Sequence, residues 1–115
     1  SDAVRLARKV DRDNVGVMFN LCHFLKVEPE SDLRTTLESA GPLLQQVSVS
    51  GAEVGGADWK ALIQPLGRGN FDFSELLEIL KDLDFAGPIG LQCYNVNGDS
   101  ETFLGESMKA WRKVR

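Results

Sequence analysis

Apolar positions along the chain follow two periods, one typical of helices and one typical of strands. Ala3, Leu6, Ala7 and Val10 recur at helical spacing, which predicts the tail of an amphipathic helix over residues 3–11. Immediately afterwards, the apolar run NVGVMF predicts a buried strand. The first two predicted elements are therefore a helix and then a strand.

The same order of elements continues after this strand. Ser31 is placed as a helix N-cap before a stripe of Leu33, Leu37 and Ala40, and the Gly41-Pro42 pair predicts the end of that helix. The strictly alternating QQVSVS predicts a second strand, and DWKALI predicts one or two helical turns. A second helix–strand unit therefore follows the first.

A capping signal predicts the next helix. Asp72 is followed three residues later by Glu75, and an apolar stripe comes after them. The stripe comprises Leu76, Leu77, Ile79, Leu80 and Leu83. Beyond it, FAGPIGLQCY predicts a turn and a short strand. Finally, the spacing of Leu104, Met108 and Trp111 predicts the buried face of a last helix.

Alternation of helices and strands predicts an α/β fold with parallel strands. Three strands are clear, and residues 63–66 are a candidate for a fourth. Parallel strands joined by helical crossovers are the units of (β/α) barrels of the TIM type, which take roughly 250 residues when complete. The 115 residues therefore amount to about half of such a barrel.

Composition narrows the class of protein. A chain of 115 residues that is 43% hydrophobic fits one globular unit over residues 1–115. The formal net charge is −4 with the signs mixed, which disfavours nucleic acid as a partner. Because no apolar run approaches the ~20 residues of a membrane span and no signal peptide is visible, we expect a cytoplasmic protein with no membrane partner. Cys22 and Cys93 are expected to be reduced thiols.

Side-chain alternation places a polar group at the end of each strand. Val17 and Phe19, Val47 and Val49, and Ile89 and Leu91 are expected to face helices. The opposite face then ends in Asn20, Ser48 and Gln92, with Tyr94 beyond. Ligands of parallel α/β folds bind at the carboxyl ends of strands, so these residues predict a binding site. The alternative is that they bond loop backbone and that His23 is a loop histidine.

These residues and their motifs resemble a known family. NVGVMFNLCH, VSVSG, PLGRGNFDFSELLEILKDLDFAGPIGLQCY and ESMKAW together are similar to the xylose isomerase-like TIM barrels. This family is also called the sugar phosphate isomerase/epimerase or AP endonuclease family 2 group. The resemblance covers essentially the whole chain and implies the C-terminal half of the barrel, strands 5 to 8. It also implies one divalent metal, Mn²⁺, Mg²⁺ or Zn²⁺, and enediolate proton transfer or hydride shift on a sugar's hydroxy-carbonyl edge.

The chain departs from the family at the ligand positions. Asn20 stands where the resemblance implies an Asp, Ser48 where it implies a His, and Gln92 where it implies a Glu. Loss of two carboxylates and an imidazole predicts that a divalent ion is not held tightly, so no residue here is assigned to metal. An amide is also no general base.

The remaining functional groups divide into two predicted roles. His23 keeps the downstream histidine of the family pattern, and Glu53 is close to a strand end, so both are candidate catalytic groups. The candidate substrate-binding residues are Asn20, Ser48, Arg68, Gln92 and Tyr94. The GRGN turn before Asp72 could cradle a phosphate or could be a plain tight turn. Tyr94 and Trp59 could stack on a sugar or cap the core.

Two functions remain open. The first is a sugar or sugar-phosphate isomerase/epimerase-like protein with a degraded metal site, and the second is an inactive, metal-free carbohydrate-binding barrel. Action on abasic DNA is weaker, since it needs metal ligands and a basic groove. A half barrel leaves open sheet edges, so a missing N-terminal half or a homodimer partner is expected as well.

Overall fold

A parallel sheet of three strands organises the part of the protein that the computed structural model describes, residues 1–28 and 31–114. The strands are β1 (Val17–Asn20), β2 (Leu44–Val49) and β3 (Ile89–Leu91). Their order is β1-β2-β3, and β2 pairs in parallel with both neighbours. The α/β class with parallel strands is therefore confirmed.

Helices precede, connect and follow these strands. They are α1 (Asp2–Val10), α2 (Leu21–Val27), α3 (Leu33–Ala40), the single-turn α4 (Trp59–Leu62), α5 (Phe73–Asp82) and α6 (Ser100–Val114), with a 3₁₀ turn at Gly41–Leu43. Each crossover between neighbouring strands contains helices, as parallel pairing requires. Within the described residues, none of these helices is long and apolar enough to cross a bilayer.

The core lies between the sheet and the helices. Val47 and Val49 of the central strand are fully buried on this side, together with Phe19 of β1. On the opposite face Met18 is 54% exposed. This difference confirms the predicted alternation in β1, because neighbouring side chains of a strand point to opposite faces.

Helix α5 forms as its sequence predicts. The Asp72 carboxylate caps it by accepting a hydrogen bond from the Ser74 backbone N–H at 3.0 Å. Leu76, Ile79 and Leu80 are buried in the core. This stripe is therefore part of the core.

Helix α3 begins one residue later than predicted. Asp32, not Ser31, is the N-cap, and its carboxylate accepts the Thr35 backbone N–H at 2.7 Å. Asp and Ser are both good caps, and Asp32 stands directly before the first helical residue. The end of the helix matches the prediction, because Gly41 stops it with a φ of +50°.

The apolar stripes predicted for α1 and α6 are only partly buried. In α1, Val4 and Ala7 are buried whereas Leu6 and Val10 are exposed. In α6, Phe103 and Ser107 are buried, while Leu104 is 52% exposed and Met108 is 48% exposed. The prediction of the α6 buried face was therefore wrong at two of its three positions.

Residues 63–66 do not add a fourth strand to the parallel sheet. Gln64 instead forms an isolated antiparallel bridge with Gly51, in which two backbone hydrogen bonds of 3.0 Å join the residues. The chain after α4 folds back along the segment that leaves β2. Which strands of a complete barrel the three observed strands represent remains a prediction.

Candidate functional site at the carboxyl ends of the strands

The strand register places the predicted polar residues at one end of the sheet. Asn20 is the register partner of Ser48, and Ser48 is the partner of Gly90. Gln92 follows two residues after Gly90, and its backbone N–H continues the ladder by donating to the Val49 carbonyl at 2.7 Å. Register partners share a face, so Asn20, Ser48 and Gly90 lie on the same side of the sheet, and Gln92 follows just beyond the end of β3.

Asn20 holds the turn from β1 into α2. It is the last residue of β1 and the N-cap of α2. Its side-chain oxygen accepts the His23 backbone N–H at 3.4 Å and the Cys22 thiol at 3.0 Å. A capping asparagine satisfies an N–H that has no partner inside the helix. Asparagine is a favoured N-cap residue, so Asn20 at the end of a predicted strand could have indicated this cap from the sequence, but the thiol contact could not be foreseen.

Cys22 is a structural thiol. It is buried, and its sulfur lies 3.6 Å from His23 Nδ1. Burial raises the pKa of the Cys22 thiol, with a smaller opposing effect of backbone hydrogen bonds. Because the reactive form of cysteine is the thiolate, this environment argues against a nucleophilic role.

Gln92 is fixed by its own turn. Its side-chain oxygen accepts the Tyr94 backbone N–H at 3.2 Å. Strand β3 has already ended at Leu91, so Cys93 and Tyr94 leave the sheet and are exposed, Tyr94 by 73%. The inward direction predicted for Tyr94 from strand alternation therefore does not apply.

Helices α2 and α4 bring an imidazole and an indole together above the strand ends. The ring centres of His23 and Trp59 are 5.1 Å apart, and Lys26 Nζ lies 5.9 Å from the Trp59 ring centre. The Lys26 ammonium also donates to the Ala57 carbonyl. Trp59 is 42% exposed, so it does not cap the core. Part of the Trp59 residue therefore remains exposed beside His23.

Two cavities adjoin His23. One, of about 160 Å³, is lined by His23, Trp59, Ile63, Gln92 and Tyr94. The other, of about 290 Å³, lies on the β1 side, and Asn20 and His23 are among its lining residues. Ser48 is buried and lines neither of them. The imidazole is thus the group shared by the two cavities.

Glu53 and Arg68 lie outside both cavities. Glu53 is exposed, and its backbone N–H donates to the Ala61 carbonyl. The Arg68 guanidinium forms two hydrogen bonds with the Glu106 carboxylate of α6, at 2.6 and 2.7 Å. This ion pair raises the pKa of Arg68 and lowers the pKa of Glu106. The positions of both residues therefore give no support to their predicted roles.

The glycine turn packs as a tight turn beneath the site. A Cβ on Gly51 would lie 2.1 Å from the Pro65 carbonyl oxygen, and one on Gly69 would lie 2.1 Å from that of Ala52. Such distances exclude a side chain at both positions. The neighbouring Asp72 carboxylate already accepts the Ser74 hydroxyl and N–H at the start of α5. The observed contacts match the plain-turn interpretation rather than a phosphate cradle.

The donor set at the strand ends does not fit a tightly held divalent cation. The Asn20 oxygen already accepts two hydrogen bonds, and the Gln92 oxygen accepts one. Mn²⁺, Mg²⁺ and Zn²⁺ prefer carboxylates or imidazoles, and Ser48 supplies only a neutral hydroxyl. Across residues 1–28 and 31–114, no group of three His, Cys, Asp or Glu side chains is arranged to hold a metal ion.

Several solved structures with a similar fold are sugar epimerases. D-psicose 3-epimerase from Clostridium cellulolyticum H10, determined with D-tagatose, is 20% identical with a TM-score of 0.75, over 98% of this chain and 42% of that one. The 3-keto-D-glucoside 4-epimerase from E. coli is 22% identical with a TM-score of 0.76, over 97% of this chain and 38% of that one. The D-allulose 3-epimerase from Methylomonas sp. is 20% identical with a TM-score of 0.74, over 97% of this chain and 41% of that one.

These likenesses establish the fold. The chain spans about two fifths of the length of each of these epimerases, so it corresponds to part of their barrel. Among curated proteins, none matches the sequence. Residues 1–114 match the family described as xylose isomerase-like TIM barrel, which is nearly the entire chain. The chain therefore belongs to the xylose isomerase-like TIM barrel family.

Proposed function

We propose that this chain forms part of a sugar or sugar-phosphate isomerase/epimerase-like protein that acts on a hydroxy-carbonyl substrate at the carboxyl ends of its strands, with a degraded metal site. One observation carries the proposal. In a chain of this family, Asn20 and Ser48 share one face at the strand ends, and His23 and Gln92, which follow β1 and β3, line one cavity. The named epimerases act on ketoses or keto-glycosides, so we take that class of substrate as the starting point.

The proposed roles follow the placement of the side chains. His23 is the one histidine of the sequence and adjoins both cavities, so it is our candidate for proton transfer. Gln92 and Tyr94 would bind substrate in the smaller cavity, and Asn20 in the neighbouring one. The exposed rings of Trp59 and Tyr94 offer apolar faces to a sugar. Glu53 and Arg68 are weaker candidates because they line neither cavity.

The sheet needs further strands to close into a barrel. In the described residues, β1 and β3 each pair only with β2, which leaves one side of each without a strand. We propose that either the N-terminal half of the barrel or a second copy of the chain provides the missing strands. Unpaired edges favour association, so light scattering on this chain alone should show dimers or larger species. A monomer that stays monomeric at high concentration would contradict the proposal.

A second candidate function is a metal-free barrel that binds carbohydrate without catalysis. The observation in its favour is that the amide oxygens of Asn20 and Gln92 already accept hydrogen bonds from their own turns. Amides in place of carboxylates remove proton acceptors from the positions where the family places them. Binding can persist under these conditions, whereas catalysis then depends on His23 or on residues outside this chain.

Hydrogen exchange at the substrate separates the two functions. The protein would be incubated in D₂O with D-fructose, D-psicose or D-tagatose, and loss of the proton next to the carbonyl would be followed by NMR. Exchange that persists after treatment with a chelator supports a metal-independent enzyme. Exchange abolished by the chelator and restored by Mn²⁺ would show that the metal site is not degraded.

Variants of the same protein test the role of His23. A general base contributes about 10²–10⁴-fold to rate, so His23→Gln should slow exchange by a factor in that range. Cys93→Ser, an exposed site outside both cavities, should leave the rate unchanged. An unaltered rate in His23→Gln would remove this residue from the mechanism. A thermal shift with a ketose but no exchange would favour the binding function.

A further inference from the structure

One face of helix α2 carries two side chains that interact with the same tryptophan. His23 and Lys26 are three residues apart in α2, and residues at that spacing lie beside each other on a helix. The Trp59 ring centre is 5.1 Å from the His23 ring centre and 5.9 Å from Lys26 Nζ. The indole of α4 is therefore within interaction range of an imidazole and an ammonium group at once.

The Lys26 ammonium connects α2 to the segment that bears Trp59 through two interactions. It donates a hydrogen bond to the carbonyl of Ala57, two residues before Trp59, and it lies over the indole ring. A cation over an aromatic ring is attracted by the negative face of the ring, and indole is the best partner among the aromatic side chains. Lys26 thus restrains both the backbone before Trp59 and the ring itself.

The segment that bears Trp59 also has anchors that do not involve Lys26. The Val54 backbone N–H donates to the Asn70 side-chain oxygen at 2.7 Å. The Asp58 carboxylate caps α4 by accepting the Ala61 backbone N–H at 2.9 Å. A change at Lys26 should therefore leave the α4 turn folded and loosen only the indole.

The position of the indole determines the shape of the smaller cavity. Trp59 lines the cavity of about 160 Å³ that Gln92 and His23 also line. Because Trp59 is 42% exposed, packing in the core does not by itself fix its ring. The contacts with α2 therefore have a large part in placing this wall of the cavity.

We propose that Lys26 is a positioning residue that holds the Trp59 indole against His23 and thereby shapes the ligand cavity. Lys26 does not itself line that cavity, so it acts through the indole. The effect on a ligand rests on the proposed function, whereas the placement of the ring does not. His23 depends less on Lys26, because its backbone N–H donates to Asn20 and its Nδ1 lies 3.6 Å from the Cys22 sulfur.

NMR on the intact protein measures the placement of the ring directly. His23 is the one histidine of the sequence, and Trp59 is one of two tryptophans, so Trp111→Phe assigns the Trp59 signals. The short distance between the two rings predicts nuclear Overhauser cross-peaks between imidazole and indole protons. The Lys26 ε-methylene protons should be shifted upfield by the indole ring current. Unshifted Lys26 protons in the unaltered protein would overturn the proposal without any variant.

Three lysine variants test whether the ammonium holds the ring. Lys26→Met removes the charge and the donor, and should abolish the cross-peaks between the imidazole and the indole. Lys26→Arg keeps a cation that donates hydrogen bonds and stacks on aromatic rings, so it should restore them. Lys60→Met is the matched control, because Lys60 is exposed and adjacent residues of a helix do not face each other. Cross-peaks that persist in Lys26→Met would contradict the proposal.

Kinetics of ketose exchange in D₂O measure the consequence for the proposed function. Lys26→Met should raise the KM for D-psicose by about 2–10-fold, the size of a cation–π interaction, and change kcat by less than about twofold. A higher KM with an unchanged kcat means that binding is weakened while proton transfer persists. Lys26→Arg should restore the KM. A lower kcat with an unchanged KM would overturn the action through Trp59.

The two proposals can fail separately. If no ketose exchanges in the unaltered protein, the isomerase/epimerase function fails, and loss of the cross-peaks in Lys26→Met still supports the positioning role. If ketoses exchange but the cross-peaks and the KM do not respond to Lys26→Met, the positioning role is overturned and the function stands.

Discussion

Helices α5 and α6 are both amphipathic, yet only α5 buries the face that its sequence predicts. In α5, Leu76, Ile79 and Leu80 are buried. In α6, Leu104 and Met108 remain about half exposed, while Phe103 and Ser107 are buried instead. The period of apolar residues identifies a helix in both cases, but it does not decide which side finds a partner.

The difference arises from the neighbours of each helix. Helix α5 connects two paired strands and packs against α3 and α6, so its stripe is enclosed by described residues. Helix α6 follows β3, and its Leu104 and Met108 side borders an open apolar cavity of about 460 Å³ next to that strand. The apolar residues of a chain serve contacts with partner molecules as well as contacts within the chain.

We expect the largest difference in the free energy of unfolding when one apolar side chain of α5 and one of α6 are truncated. Leu76→Ala should lower the free energy of unfolding by about 2–5 kcal/mol, because it leaves a cavity in the core. Leu104→Ala should change it by less than about 0.5 kcal/mol, as is usual for exposed sites. Urea denaturation of both variants measures the contrast. A similar loss in the two variants would show that α6 is covered on this side in solution.

The buried side of α6 depends on a hydroxyl. The Ser107 hydroxyl accepts the buried Leu66 backbone N–H at 3.0 Å. Ser107→Ala should cost about 1–3 kcal/mol, because the N–H is left without a partner. Ser100→Ala, at the exposed start of the helix, is the matched control and should have a smaller effect in the same denaturation experiment. If both serines proved equally dispensable, the docking of α6 on this side would be in doubt.

Gly105 reports on the space around the polar side of α6, where it lies beside Glu101 and Lys109. A Cβ at this position would meet no atom within 4 Å. Gly105→Ala should therefore raise the free energy of unfolding by about 0.5–1 kcal/mol, through the higher helix propensity of alanine. Gly67→Ala is the contrasting variant, since its Cβ would lie 2.6 Å from that of Ala110, and it should be destabilising. Loss of stability in Gly105→Ala would indicate a close partner at that surface.

The smallest expected effect is the pH dependence of the ion pair between the glycine turn and α6. Arg68 lowers the pKa of Glu106 in the folded state, chiefly through the hydrogen bonds between them. A lowered carboxyl pKa contributes stability that is complete above the unfolded value of about 4.3 and is lost as the pH falls through the folded value. Melting temperatures of the native protein and of Arg68→Ala should therefore converge as the pH falls below about 4. A constant difference across this range would rule out the ion pair as its cause.

Prediction of the candidate site from the sequence succeeded for backbone placement and failed for side-chain partners. Alternation is a local rule and the alternating order of helices and strands implies parallel pairing, so Asn20 and Ser48 could be assigned to one face. Long side chains are less constrained: Arg68 was expected near a substrate, whereas it lies against Glu106, 38 residues further along the chain. The orientation of the Gln92 amide likewise depends on a turn at Tyr94 that strand alternation does not describe.

The sequence by itself determined the α/β class, the parallel sheet, the cap and stripe of α5 and the family, since these depend on periodicity, capping and motifs within short segments. Only the tertiary structure decided which face of α6 is buried, that Gln64 bridges Gly51 instead of extending the sheet, and that the amide oxygens of Asn20 and Gln92 accept hydrogen bonds from their own turns. Those features depend on contacts between residues far apart or on the direction of a hydrogen bond. The pattern of apolar and polar residues predicts neither the distant contacts nor the direction of the hydrogen bonds.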